Sequence, residues 1–120
     1  MKSAILLVKK GPYGTMLGFE TARFAKDLKT RGNVDVHVVA LDDGVYFYLE
    51  NQQSQEIGTP PFSIVIQNTA KEEIPLYAVE ESLKERSITK EDFDPAWEVK
   101  IITREKLTEM ISTSDSVMGL

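Results

Sequence analysis

The strongest constraint in this chain is a change of hydrophobic period within its first forty residues. Ala4-Ile5-Leu6-Leu7-Val8 is an unbroken aliphatic run, the pattern of a parallel strand covered on both faces. Gly11-Pro12-Tyr13-Gly14 interrupts it. From Thr15 to Arg31 the period becomes helical, with Leu17, Thr21, Phe24, Ala25 and Leu28 on one stripe. Thr15 suits the N-cap, and Gly32 the left-handed residue beyond the helix end. Arg23–Asp27 and Asp27–Arg31 are i,i+4 pairs for the outer face. Val34 to Leu41 then returns to β-branched strand residues. Strand, helix and strand in this order make a βαβ unit, which closes as a right-handed crossover.

Further along, Asp42-Asp43-Gly44 ends the second strand, and Val45 to Leu49 reads as a short helix. Asn51 to Gln55 is polar, and Gly58 with Pro60-Pro61 prolongs the irregular stretch. Phe62 to Ala70 is open between strand and helix. Ile64-Val65-Ile66 fits strand, whereas Phe62, Val65, Ile66 and Ala70 fit a helical stripe, the reading adopted. Ile74 to Val79 is the next core strand, with Pro75 near its start, where a missing N–H is tolerated. Glu80 to Arg86 is a helix with a Glu80–Lys84 pair. Thr89-Lys90-Glu91-Asp92 resembles a capping box, and Asp94-Pro95 a turn. Glu98 to Ile102 is a fourth strand. Thr103 caps a helix carrying Leu107, Met110 and Ile111, and Asp115 to Leu120 closes as a strand. The order predicts a three-layer α/β/α sandwich on a five-stranded, mostly parallel sheet, flavodoxin-like in general plan. At 120 residues, the stretch 1–120 is the size of one domain.

Composition narrows function by exclusion. Nineteen acidic against fourteen basic residues give −5, which argues against nucleic acid or anionic membrane as partner. No apolar run is long enough to span a bilayer, no signal-peptide core is evident, and the cytoplasm is the expected location. Without cysteine there is no disulfide, thiol nucleophile or persulfide carrier, and with one histidine no His-rich metal site. Neither metal nor cofactor is predicted. His37, with Asp35 two residues back on the same face, reads as a satisfied strand histidine and not as a base. Ligands in doubly wound sheets settle beyond the carboxyl ends of the strands. That rule gathers Lys9, Lys10, Gly11, Tyr13, Gly14 and Thr15 with Asp43, Gly44, Val79 and Ser82 as a candidate ligand site. The paired Asp42-Asp43 also reads as an ordinary turn.

Several ordered segments together resemble the DsrE/DsrF-like family, which includes sulfur-relay subunits. They are Ile5-Leu6-Leu7-Val8 with Gly11-Pro12-Tyr13-Gly14, Val38 to Val45 ending Asp-Gly-Val, Ser82 to Ile88, and Thr103 through Val117. The resemblance implies the same sandwich and, in members that carry sulfur, a cysteine just after the third core strand. Those positions fall on Val79 and Ser82 here, so sulfur transfer does not carry over. Ser87 stands where the family usually has glycine. The resemblance therefore implies a non-thiol protein working through assembly or partner binding. The alternative is a small-molecule or anion-binding protein or enzyme using the strand-end pocket. Family members associate as trimers or hexamers, and a homo-oligomer or a complex with related subunits is expected. Tyr46, Phe47, Tyr48 and Leu49 are the predicted contact, with Phe62, Ile64 and Trp97 as further apolar area.

Overall fold

The computed structural model describes residues 2–11, 17–50, 72–95 and 97–119. Five strands form one sheet: β1 (Ser3–Val8), β2 (Asp35–Ala40), β3 (Leu76–Val79), β4 (Val99–Ile102) and β5 (Ser116–Gly119). Their order is β4-β3-β2-β1-β5 and every pairing is parallel. The helices are α1 (Leu17–Thr30), α2 (Glu80–Glu85) and α3 (Arg104–Thr113), with 3-10 turns at Asp42–Tyr48 and Lys90–Asp92. Winding runs one way from β1 to β4, and α3 then carries the chain back to lay β5 beside β1.

Strand alternation divides the core in two. Leu6, Val36, Val38, Ala40, Leu76, Ala78 and Val99 face Ala22 and Ala25 of α1, Leu83 of α2 and the first 3-10 turn. Ile5, Val39 and Val79 face Leu107 of α3. Small residues on α1 let it lie close to the sheet. That is why Phe24, expected in the stripe, is 37% exposed while Ala22 and Ala25 are buried. Ile111, likewise expected inward, is 37% exposed in the last turn of α3, where only Leu107 is fully covered.

Several helix ends follow the local chemistry. Thr103 Oγ accepts the Lys106 amide at 3.1 Å. Asp92 accepts the Thr89 amide at 2.8 Å, completing the expected capping box. Lys84–Glu80 stands at 3.1 Å, and Arg31–Asp27 is the outer pair that forms on α1, at 4.0 Å. The end of α1 differs from expectation. The left-handed residue is Asn33, with φ 52°, and Gly32 precedes it. Both the Gly32 and Val34 amides bond to the Leu28 carbonyl, so the helix runs one residue further before it reverses. Gly32 is still required there, because a Cβ would stand 2.9 Å from that carbonyl. Thr15 and the Phe62–Ala70 segment lie outside the described residues.

The expected contact segment is instead part of the core. In a 3-10 turn, residues three apart share a face. Gly44 and Phe47 thus share one side and Val45 and Tyr48 another, all four buried, leaving Tyr46 and Leu49 half-buried. Tyr48 packs edge-on against Trp97 at 5.1 Å and tilted against Phe93 at 5.6 Å, and its hydroxyl donates to the Tyr77 carbonyl at 3.1 Å. Trp97, expected to offer exposed area, is 8% exposed beneath this turn. Phe47 and Tyr48 therefore have no free ring to offer a partner.

Ser87 closes α2 in the left-handed region, with φ 53°. Relief of roughly 1–2 kcal/mol of strain, less the extra chain entropy of glycine, makes Ser87→Gly stabilising by up to about 1 kcal/mol in urea denaturation. Burial pushes the Tyr48 phenol far above its ordinary 10.0, and burial followed by the Asp35 charge raises Tyr77. The folded state therefore holds protons that the unfolded chain releases. Their contribution is complete below about pH 10 and is lost above it, so urea midpoints should fall as the pH rises past that value.

Candidate functional site

At the carboxyl ends of the three adjacent strands β1, β2 and β3, the backbone is packed with little freedom. The Val8 carbonyl accepts the Leu41 amide at 3.0 Å, and a Cβ on Gly44 would lie 1.9 Å from that same oxygen. No side chain fits there, so the Asp-Gly-Val spacing is a steric requirement. Asp42 is left-handed, with φ 51°, and its amide donates to Ser82 Oγ at 2.9 Å. The Gly44 amide turns back to the Leu41 carbonyl at 2.9 Å. Gly11 lies alongside, where a Cβ would be 3.7 Å from the Asp43 carbonyl.

Gly11, Asp43, Gly44, Val79 and Ser82 are thus gathered at one end of the sheet, with β2 between the other two strands. The winding itself reverses elsewhere, between β1 and β5. Lys10 is exposed, and Lys9 extends over Gly119 of β5, away from this cluster. Tyr13, Gly14 and Thr15 lie outside the described residues. Val79 and Ser82 are completely buried, and the Ser82 hydroxyl is engaged by Asp42.

Arg86, which the sequence marks only as the end of a helix, joins this group. Its Nε and Nη2 donate to Asp43 Oδ1 at 3.1 and 3.0 Å, and its Nη1 donates to the Ser82 carbonyl at 3.1 Å. The available signal was spacing, since position 86 stands one helical turn beyond Ser82 and faces back toward the strand ends. Burial of the guanidinium works to lower its pKa. The Asp43 hydrogen bond and charge, with Tyr46 and Asp42 further off, outweigh burial and raise it. The cation at this cluster is accordingly neutralised by the chain's own carboxylate. Glu85 continues the row, at 3.5 Å from Arg86 and 3.4 Å from Arg104, and Glu81 accepts the Arg104 amide at 3.0 Å.

Toward the amino ends of the strands, His37 is satisfied as expected. Its Nε2 is 3.3 Å from Asp35 and its Nδ1 2.9 Å from the Tyr77 hydroxyl, with the two rings stacked at 5.7 Å. Among the described residues, no group of three or more His, Cys, Asp or Glu could hold a metal, and no helix is long and apolar enough to cross a membrane.

Comparison with known proteins agrees with this architecture. The sequence profile of the DsrE/DsrF-like family matches residues 2–120. The intracellular sulfur oxidation protein DsrF of Allochromatium vinosum is 28% identical over 132 aligned residues, covering 99% of this chain and 96% of that protein. The fold is similar to the crystal structure of the ychN protein from E. coli, with a TM-score of 0.83 at 20% identity and complete coverage of both chains. MTH1491, a protein of unknown function from Methanobacterium thermoautotrophicum, has a TM-score of 0.67 at 11% identity, covering 98% of this chain and 99% of its own.

The packing at Val8 sets the expected response to substitution. Gly44→Ala should destabilise by about 3 kcal/mol or more, because a methyl group cannot be accommodated against backbone. Ser82→Ala should cost about 1–3 kcal/mol by stranding the Asp42 amide. Urea denaturation followed by circular dichroism measures both, and near-neutral results would contradict the geometry.

Proposed function

The chain belongs to the DsrE/DsrF-like family, and from that membership we propose that it is a non-thiol sulfur-relay subunit, acting through assembly with like chains and carrying no sulfur itself. The observation that carries this reading is the state of positions 79 and 82. Val79 has no nucleophile, Ser82 is 0% exposed with its hydroxyl engaged, and the sequence contains no cysteine. A persulfide requires a thiol. The similarity to an intracellular sulfur oxidation protein supports the link to sulfur chemistry.

Support for assembly comes from the α3 side of the sheet. Parallel sheets are ordinarily covered on both faces. Among the described residues, α3 is the one helix packed on this side, and Leu7, Leu41, Tyr77 and Ile102 remain half-buried. Val117, whose neighbour in register is Ile5 of this face, is 40% exposed. Tyr77, Ile102 and the neighbouring Lys100, with Asp35 on the same side, give this flank an apolar middle and both signs of charge. Such a flank is suited to a second copy or a closely related subunit.

Light scattering coupled to size exclusion tests the reading, alone and mixed with a cysteine-bearing family subunit. The expected mass is a trimeric or hexameric multiple of 13.5 kDa, or a mixed complex. Ile102→Glu should shift either toward the protomer, since it would place a charge in an apolar contact. A mass near 13.5 kDa at all concentrations, with no mixed species, would refute assembly. Intact mass after treatment with a sulfur donor should show no adduct of about 32 Da, one sulfur atom.

A further inference from the structure

The same flank holds the chain's sole histidine, and, resting on the assembly reading, we propose that protonation of His37 weakens association through this face. The geometry supplies the device. The Asp35 carboxylate, 3.3 Å from Nε2, can only accept, so it favours the neutral tautomer with the proton on Nε2, in which Nδ1 accepts from the Tyr77 hydroxyl at 2.9 Å. Burial, then the Asp35 charge, raises the Tyr77 pKa, which keeps the phenol a donor at neutral pH.

A second proton converts Nδ1 into a donor, and the Tyr77 O–H must find another acceptor. On an open face water provides one. Beneath a partner the hydroxyl is stranded, and the imidazolium is desolvated with it.

The surrounding charges offset this only in part. On β2 the neighbour is Asp35, 3.3 Å from Nε2, a counter-ion for the imidazolium that does nothing for the stranded hydroxyl. On β4, Lys100 pairs in register with Tyr77 and adds positive charge. From β1 and α3 the facing polar groups are the hydroxyls of Ser3, Thr113 and Ser114, and Asp115 is occupied by the Ser3 amide at 2.9 Å.

Histidine is the side chain whose ordinary titration spans about pH 5 to 8, and this sequence has one, so the test is unusually clean. Association is measured by light scattering from pH 8 to about 5.5, with circular dichroism at each step, for the wild type and His37→Gln. The wild type should lose about tenfold or more in association toward acid, the equivalent of one stranded hydroxyl. His37→Gln should remain flat. An assembled wild type insensitive to pH, or an unchanged profile in His37→Gln, overturns this proposal and leaves the assembly reading standing. A monomer at every pH overturns both. The single imidazole proton resonance gives a second readout should the variant fail to fold or the wild type unfold in acid. Its titration midpoint should fall as protein concentration rises, and a concentration-independent midpoint in an associating protein sinks the idea.

Discussion

The Val8 carbonyl lies at the carboxyl end of β1, against the turn that leaves β2. It accepts the Leu41 amide at 3.0 Å and leaves room beside it only for a residue without a side chain, Gly44. From that contact the chain turns into the 3-10 segment Asp42–Tyr48. This segment delivers Val45, Phe47 and Tyr48 to the core and holds Asp43 at the surface, facing Arg86. The left-handed Asp42 is tolerable because its amide finds the Ser82 hydroxyl on α2. One backbone approach thereby fixes the relation of β1, β2 and β3 at their carboxyl ends. It also fixes the packing of the Tyr48–Phe93–Trp97 aromatic group behind them.

That arrangement shows how the described polar groups at these strand ends are satisfied from within the chain. The rule that ligands gather beyond strand ends rests on unsatisfied backbone groups and open space. Here the Leu41, Asp42 and Gly44 amides all have partners within the protein, and Arg86 is paired with Asp43. Serine at position 82 serves as an acceptor for the loop, a structural task that a hydroxyl performs without becoming a nucleophile. Among the described residues, the polar groups that converge at this end are paired with one another.

The two faces of the sheet are covered unequally. On one side α1, α2 and the first 3-10 turn enclose an extended cluster that includes four aromatic rings, Phe47, Tyr48, Phe93 and Trp97. On the other, α3 contributes Leu107 and Met110 over Ile5, Val39 and Val79, and the stacked His37–Tyr77 pair stands at the margin. Apolar area left half-covered on a parallel sheet favours burial against another surface. This difference moves attention from the aromatic segment 46–49 to the opposite face.

Much of the architecture was legible in the sequence. The switch from aliphatic run to helical stripe and back specified the βαβ unit, and all five strands overlap the segments read as strands. The Thr103 cap, the Thr89–Asp92 box and the Glu80–Lys84 pair are set by residues within one turn of each other, so local chemistry was enough. Absence of cysteine excluded thiol chemistry before any fold was known. The remainder depended on contacts between residues far apart in sequence. The aromatic run 45–49 reads as surplus apolar area until a 3-10 turn directs Val45, Phe47 and Tyr48 inward, with Tyr48 against Trp97 some fifty positions away. Phe24 fits the helical stripe, but the close approach of α1 to the sheet on Ala22 and Ala25 leaves it outside. Arg86 gained its place only when α2 folded back over Asp43, more than forty residues earlier in the chain. Periodicity records which residues seek burial, whereas which neighbour buries them is decided by packing at long range.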